Sequence, residues 1–292
     1  MANNLEYAKI FQEGLDLVLE QAPVTNWMTA DSSRVQYNGG NEYKFAKLTM
    51  DGLSDYSRAT GFVDGDVTLV WETKTFAYDR GRTFSLDAMD YDETKFQASA
   101  PNIMGEFART KVSPEVDLTR IARLASNADV ANVVQLADLD TALEDFKKGI
   151  VAVREAGYDG RLMAHVSYEF MNALELRFAN QLGAETFAIN GVDTTFKVLD
   201  GVALIPTVSS RMHTEIDKDS STKVISGTGD KIAFLITGIS VPNAIVKHDK
   251  VRTFTPDENQ EKDAWKLDYR VYHDCIVLDN DKPAIYVAKA PL

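Results

Sequence analysis

The chain has 292 residues, 45% of them hydrophobic, enough to bury a sizeable core in one elaborated domain or two smaller ones. With 31 basic against 44 acidic residues the formal net charge is -13, the wrong sign for a protein that grips phosphate backbones along its length. The single cysteine, Cys275, excludes an intramolecular disulfide, no stretch approaches the roughly 18 apolar residues of a membrane span, and Met1 to Gln12 carries no ordinary export signal.

Tyr7, Ile10, Phe11, Leu15 and Val18 recur at helical spacing, so Leu5 to Glu20 reads as an amphipathic helix stopped by Pro23. Gly14 weakens its middle, and such a helix suits an arm laid on another surface better than a core element.

Val35 to Leu86 is a β region, in which the turn signals Asn38-Gly39-Gly40, Asp51-Gly52 and Asp64-Gly65 separate short runs rich in Thr, Val, Tyr and Phe. Its best strand spans Val67 to Tyr78, and twelve residues at about 3.3 Å each reach roughly 40 Å. Polar and apolar residues mix on both faces towards Tyr78, so such an arm would be poorly stabilised alone and would offer unpaired edges to a neighbour. An ordinary hairpin on a compact sheet fits the same residues.

Phe96, Ala100, Ile103 and Phe107 step by 4, 3 and 4, marking a helix that reaches Val112, with Pro101 and Pro114 as kinks or restarts. Ser113-Pro114-Glu115 offers an N-cap and first turn for a continuation to about Ala125, giving one long, bent helix. Beyond it, Leu139, Leu143, Phe146, Ile150 and Val153 predict a cleaner helix closed by Gly157.

Arg161 to Val166 reads as a buried strand, Ser167 caps a short helix to about Phe178, and Thr194 to Leu199 and Val202 to Ile205 add strands, as in a mixed α/β layer. Asp217 to Asp230 reads as a Ser/Thr/Gly/Asp-rich loop. Ile232 to Ile236, a strand around Ile245, Trp265 to Leu278 and Ala284 to Val287 then give a mostly β ending, the last two joined across Asp279-Asn280-Asp281-Lys282. The fold class is α+β.

The search for chemistry returns little. His165, His213, His248 and His273 lack the short spacings of zinc sites, and His165, in an apolar strand, is best explained as a satisfied core histidine. His273-Asp274-Cys275 holds three catalytic residue types, but a strand puts His273 and Cys275 on one face and Asp274 on the other, which argues against a triad. Asp87, Asp90, Asp92 and Glu93 cluster ahead of the long helix, where the helix dipole and solvation account for them. Gly227-Thr228-Gly229 is a flexible loop signal, not a nucleotide fingerprint. The expectation is no catalytic, cofactor-binding or metal-binding residue.

Three blocks carry a resemblance. Met104-Gly105-Glu106-Phe107-Ala108-Arg109-Thr110-Lys111-Val112-Ser113-Pro114-Glu115-Val116-Asp117 resembles the spine-helix segment of major capsid proteins of tailed bacteriophages, and Tyr78-Asp79-Arg80-Gly81-Arg82-Thr83-Phe84 precedes it in the same order. Phe254-Thr255-Pro256-Asp257, with Asp263-Ala264-Trp265-Lys266-Leu267-Asp268-Tyr269-Arg270-Val271-Tyr272-His273-Asp274, is the third.

The resemblance implies the Hong Kong phage type capsid fold, shared with encapsulins. It implies an N-terminal arm over 1–30, an extended β-hairpin or E-loop over 31–88, and a peripheral domain with the long spine helix over 89–126. An α/β axial domain over 127–240 would follow, then C-terminal strands over 241–292 returning to the peripheral domain. It further implies a structural, non-enzymatic subunit that forms pentamers, hexamers and an icosahedral shell around double-stranded DNA. Copies of the chain, a scaffolding protein, a portal protein and a decoration protein are the implied partners, with no membrane. The implied location is the virion, after assembly in the bacterial host cytoplasm.

Only about thirty residues precede the hairpin, so scaffolding is expected from a separate protein or not at all. Some relatives crosslink a hairpin lysine to a neighbour's asparagine; Lys44, Lys47 and Lys74 are the positions to ask, and no crosslink is expected. The rival readings are an encapsulin-type compartment and, in another class, a soluble hydrolase using carboxylates and His273.

Overall fold

The computed structural model describes residues 20–29, 42–59, 61–89, 100–178, 182–189 and 192–291. All but the last residue of the helix expected from Leu5 to Glu20 lies outside these, as do Asn38-Gly39-Gly40, Asp90, Asp92, Glu93 and Phe96. Residues 20–25 are irregular, and Asn26–Met28 form one tight turn.

Strands β1 (Glu42–Met50) and β2 (Val67–Thr75) pair antiparallel from Glu42 opposite Thr75 to Met50 opposite Val67, a ribbon separate from the other sheets. Asp51-Gly52 and Asp64-Gly65 both fall in its tip. The Asp51 N–H donates to the Asp66 carbonyl at 3.2 Å, and the Asp66 N–H to Asp51 Oδ2 at 2.9 Å, closing the ends of the tip.

The strand expected from Val67 to Tyr78 is two strands. β2 stops at Thr75, and β3 (Tyr78–Asp87) enters another sheet. The reason is local: Phe76 is buried against Tyr272 with ring centroids 5.0 Å apart, and the Ala77 N–H leaves the ladder to donate to Asp274 Oδ2 at 2.9 Å. β3 pairs with β12 (Ala264–Ile276), which pairs with β11 (Asn243–Phe254), making a three-stranded antiparallel sheet.

The long helix runs without interruption as α1 (Ala100–Phe107), a wide π turn (Ala108–Val112) and α2 (Ser113–Asn127). Pro114 neither stops nor restarts it, because the change of pitch falls one turn earlier. The Ser113 N–H donates to the Ala108 carbonyl five residues back and the Ser113 hydroxyl to the same oxygen at 3.0 Å, so the wide turn absorbs the site where proline supplies no donor. The helix has two cores. Met104 and Phe107 pack on Leu267, Tyr269 and Val271 of the small sheet, whereas Ile121, Leu124 and Ala125 join the large core.

That core lies on an eight-stranded sheet. Its order is β4 (Val133–Gln135), β13 (Ile285–Lys289), β10 (Ile225–Gly238), β5 (Leu162–Ser167), β8 (Val202–Thr207), β7 (Val192–Leu199), β6 (Gly183–Ile189), with β9 (His213–Lys218) paired to β10. Thus β11 and β12 join β3, but β13 does not return with them; it sits between β4 and β10.

Helices α3 (Ala142–Glu155) and α4 (Tyr168–Phe178) pack on this sheet through Phe146 and Phe170, whose rings lie 5.3 and 4.7 Å from that of Phe234. Gly157, with φ +90°, closes α3: its N–H donates to the Arg154 carbonyl while the Tyr158 N–H reaches back to Val153. The Ser167 hydroxyl accepts from the Phe170 N–H at 3.2 Å, the expected cap of α4.

Two expectations are corrected here. Asp217 to Asp230 is not an irregular loop but the hairpin of β9 and the first half of β10. Gly227-Thr228-Gly229 lies inside β10, and a Cβ on Gly227 would collide with the His213 ring, so glycine there marks close cross-strand contact rather than a loop. β6 escaped the apolar pattern; the Asn190-Gly191 dipeptide between it and β7 was the available signal.

Candidate assembly interface

Among the described residues the ribbon is a part that leaves much of its apolar surface unburied. Val67, Leu69 and Trp71 on one face of β2 and Val70 on the other are all more than half exposed, and at the tip Phe62 is 89% exposed. An isolated two-stranded ribbon is marginally stable in water, and a long apolar edge is a template for another chain.

Its root, in contrast, is firmly held. Phe45, Phe76, Tyr272 and Ile276 form a buried cluster of their own. Beside it, Lys74 Nζ lies 2.6 Å from Glu72 and 3.3 Å from Asp279, which also meets Lys282 at 2.7 Å. The hydrogen bond from Lys282, reinforced by Lys74, pulls the Asp279 carboxyl down to about 2. Burial works to lower the Lys74 pKa, yet Glu72 and Asp279 outweigh it and the net shift is upward.

Asp274 is the residue whose role the sequence pattern concealed. Its buried carboxylate accepts from the Ala77 N–H, from Arg123 Nε at 3.2 Å and Nη2 at 3.3 Å, and from the Cys275 N–H at 2.8 Å. It thereby ties the ribbon root to the long helix and fixes the break between β2 and β3. Arg123 also lies over the Tyr78 ring, 5.1 Å from its centroid.

A second tie fixes residues 20–29. Buried Asp117, on α2, accepts from the Val24 N–H at 3.0 Å, the Thr25 N–H at 3.2 Å and Arg211 Nη1 at 2.8 Å. Arg211 reaches Glu20 at 2.6 Å, and Arg120 Nη1 donates to the Thr25 carbonyl at 3.0 Å. The Trp27 indole N–H donates to His165 Nε2 at 3.2 Å, and Thr29 pairs with Ala244.

The remaining candidate residues sort simply. His165 is fully buried, bonded to Trp27 and, through Nδ1, to the Thr207 hydroxyl at 3.1 Å; burial alone takes its pKa down to about 3. It is the satisfied core histidine expected. Cys275 is buried with the large core, and burial pushes its thiol up to about 12, so it is no ready nucleophile. His273 is 2% exposed and stacked on Tyr78, and burial, then Arg120 and Arg80, lower it to about 4. His248 lies half-buried in β11. His213 and His273 come to one cleft.

Among the described residues no group of three or more His, Cys, Asp or Glu is placed to hold a metal, and no helix is long and apolar enough to cross a membrane. Asp87 Oδ1 accepts from the Met89 N–H at 3.0 Å, a local turn contact. Lys44 is exposed and Lys47 half-buried on β1, while Lys74 is held protonated in its ion pairs.

No family model matches the chain, and no curated protein matches it. Solved structures match it over nearly its whole length. That of Mycobacterium phage Che8 is 15% identical, with a TM-score of 0.63, over 96% of this chain and 97% of that one. The bacteriophage PhiM1 mature capsid is 10% identical, with a TM-score of 0.68, over 97% and 91%. The chain has the Hong Kong phage type capsid fold.

The same fold is found in the holo-SrpI encapsulin complex of Synechococcus elongatus, 12% identical with a TM-score of 0.55 over 96% of this chain and 92% of that one. The α+β class and the capsid fold expected from the sequence are thus both present. A capsid fold also makes sense of a ribbon that is anchored at its root and bare along its length.

Proposed function

We propose that this chain is the structural subunit of a closed shell, assembled from many copies of itself around double-stranded DNA. One observation carries the reading: a ribbon rigidly tied at Asp274 and Asp279 exposes Val67, Leu69, Val70 and Trp71 on both faces, a surface suited to cover by other copies of the chain. In this reading β1 and β2 are the E-loop, α1 to α2 the spine helix, and the small sheet the peripheral domain. The eight-stranded sheet with α3 and α4 is the axial domain, to which β13 belongs.

Repetition of one interface around symmetry axes gives pentamers, hexamers and an icosahedral shell. A net charge of -13 suits a lining that does not trap DNA, so the genome is enclosed without sequence-specific binding. A scaffolding protein, a portal and a decoration protein are the further partners in this reading, the host cytoplasm the place of assembly, and the virion the destination. The role is not enzymatic; the buried Cys275 thiol and the structural duties of Asp274 support that.

The encapsulin match favours a second reading, a compartment around cargo protein. Electron microscopy of the purified full chain tests the shell: closed particles or capsomer rings are expected, and a monodisperse small oligomer overturns it. Nuclease-resistant nucleic acid in particles made in cells with the packaging proteins separates virion from compartment.

A further inference from the structure

A cleft of about 750 Å³ opens between β3, the wide turn of the long helix and the β9–β10 hairpin, a volume in the range of sites that take small molecules. Its floor is aromatic: the Phe107 ring stands edge-on to those of Phe84 and Tyr269, with centroids 4.9 and 5.9 Å away. Its rim is cationic. Glu115, the one carboxylate among the described lining residues, is taken by Arg80 at 2.6 and 3.1 Å. Arg82, Lys111 and Lys223 are exposed on the rim and meet no carboxylate among the described residues. In a chain of net charge -13 such a rim selects an anion.

Two further observations point to a ligand. The helical wall of the cleft is the wide turn itself, since Thr110, Lys111 and Val112 all belong to Ala108–Val112, and a π turn set in an α-helix recurs at functional sites. Two lining residues also leave buried polar atoms without a hydrogen-bond partner among the described residues: His273 Nδ1, in a side chain 2% exposed, and His213 Nδ1. Buried polar atoms are rarely left unpaired, because the lost hydration is not returned. Burial, then Lys231, lowers the His213 pKa, and burial, then Arg120 and Arg80, lowers that of His273, so both rings are neutral near pH 7. A neutral imidazole pairs with a hydroxyl, as donor or as acceptor, and has no charge to hold a carboxylate. The cleft is therefore two-ended: cations at the rim, neutral hydrogen-bonding atoms within, and aromatic rings between them.

We propose that this cleft binds a small aromatic carboxylate with a hydroxyl at its far end, the ligand rings against Phe84, Phe107 and Tyr269, the carboxylate at Arg82 and Lys111, and the hydroxyl at His213 and His273. The site is complete within one copy, so it is independent of the shell reading.

The probe is 6-hydroxy-2-naphthoate, titrated by calorimetry into the full chain carrying Leu69→Ser and Trp71→Ser, which strips the ribbon of exposed side chains that would adsorb an aromatic compound. One-to-one binding is expected, about tenfold weaker for plain naphthoate, which lacks the hydroxyl, and about tenfold weaker for the matching hydroxymethyl naphthol, which lacks the charge. Arg82→Gln with Lys111→Gln, both at exposed positions, should erase the preference for charge and keep the preference for the hydroxyl. Nitrogen NMR signals of the His213 and His273 rings should move at saturation, while those of fully buried His165 stay. Should the ribbon variant fold poorly, equilibrium dialysis of the wild-type chain with the same three compounds reads the same order of affinities. Equal affinity for all three, or unmoved His213 and His273 signals, shows adsorption on apolar surface and overturns the proposal. Ring signals that move with protein concentration before any probe is added give the cleft to a second copy, and binding gained only on deletion of residues 1–19 gives it to the N-terminal segment; either result overturns the small-ligand assignment.

Discussion

The large core and the ribbon are written in the same residues and meet opposite fates. Phe234, Leu235 and Ile236 on β10 are fully buried, and Phe146 and Phe170 close over them from two helices. Val67, Leu69, Val70 and Trp71 on β2 are no less apolar, yet more than half of each faces solvent. The difference lies in partners, not in hydrophobicity: among the described residues β10 has strands on both sides and helices above it, whereas β2 has only β1. Apolar sequence in the first place sets the stability of the monomer. In the second it sets what the monomer sticks to.

The comparison predicts how mutations divide. Phe234→Ala should cost about 3–5 kcal/mol, because the three-ring cluster cannot close the cavity; chemical denaturation of the isolated chain measures it, and a loss under about 1 kcal/mol would show a softer core than the geometry implies. Asp117→Ala comes next, at about 3 kcal/mol or more, since it removes the buried one of the two carboxylates that hold the Arg211 guanidinium and frees residues 20–29. Protease nicking within residues 20–29 should accompany that loss, and intact resistance would count against the tie.

A smaller, graded effect comes from pH. His165 titrates at about 3 when folded against an ordinary 6.5, so the unfolded chain takes up its proton first and stability falls as pH drops below about 6.5 towards 3. The slope should approach 1.4 kcal/mol per pH unit at most. Melting curves across that range should flatten in His165→Gln; an unchanged slope would assign the acid sensitivity elsewhere.

The smallest change in folding is expected where assembly changes most. Leu69→Ser with Trp71→Ser should move monomer stability by no more than about 0.5 kcal/mol, as exposed substitutions do, yet abolish particles in light scattering. If the double variant unfolded the monomer, the ribbon would have to be part of its own core.

Much of the fold was legible because local rules decided it. Leu139 to Val153 with Gly157, Ser167 as a cap, and Val202 to Ile205 as a strand needed only spacing and terminal chemistry. Where the pattern misled, a contact distant in sequence was responsible. Phe76 and Ala77 look like mid-strand residues until Tyr272 and Asp274, some 200 residues later, take the ring and the N–H. Gly227 reads as a loop until the His213 ring is found where a side chain would be. Pro114 reads as a restart until the wide turn ahead of it carries the helix through without a break.

The sequence by itself determined the α+β class and helices such as α3 and α4, since these follow from periodicity and terminal chemistry along short stretches, while the fold was carried by the resemblance of three sequence blocks. Only the tertiary structure decided that Asp274 is a clamp rather than a catalytic acid, that β13 belongs to the large sheet, and that His213 and His273 share a cleft. The reason is physical: a side chain's role is set by what surrounds it, and burial, ion pairs and strand neighbours come from residues that the chain brings together only on folding.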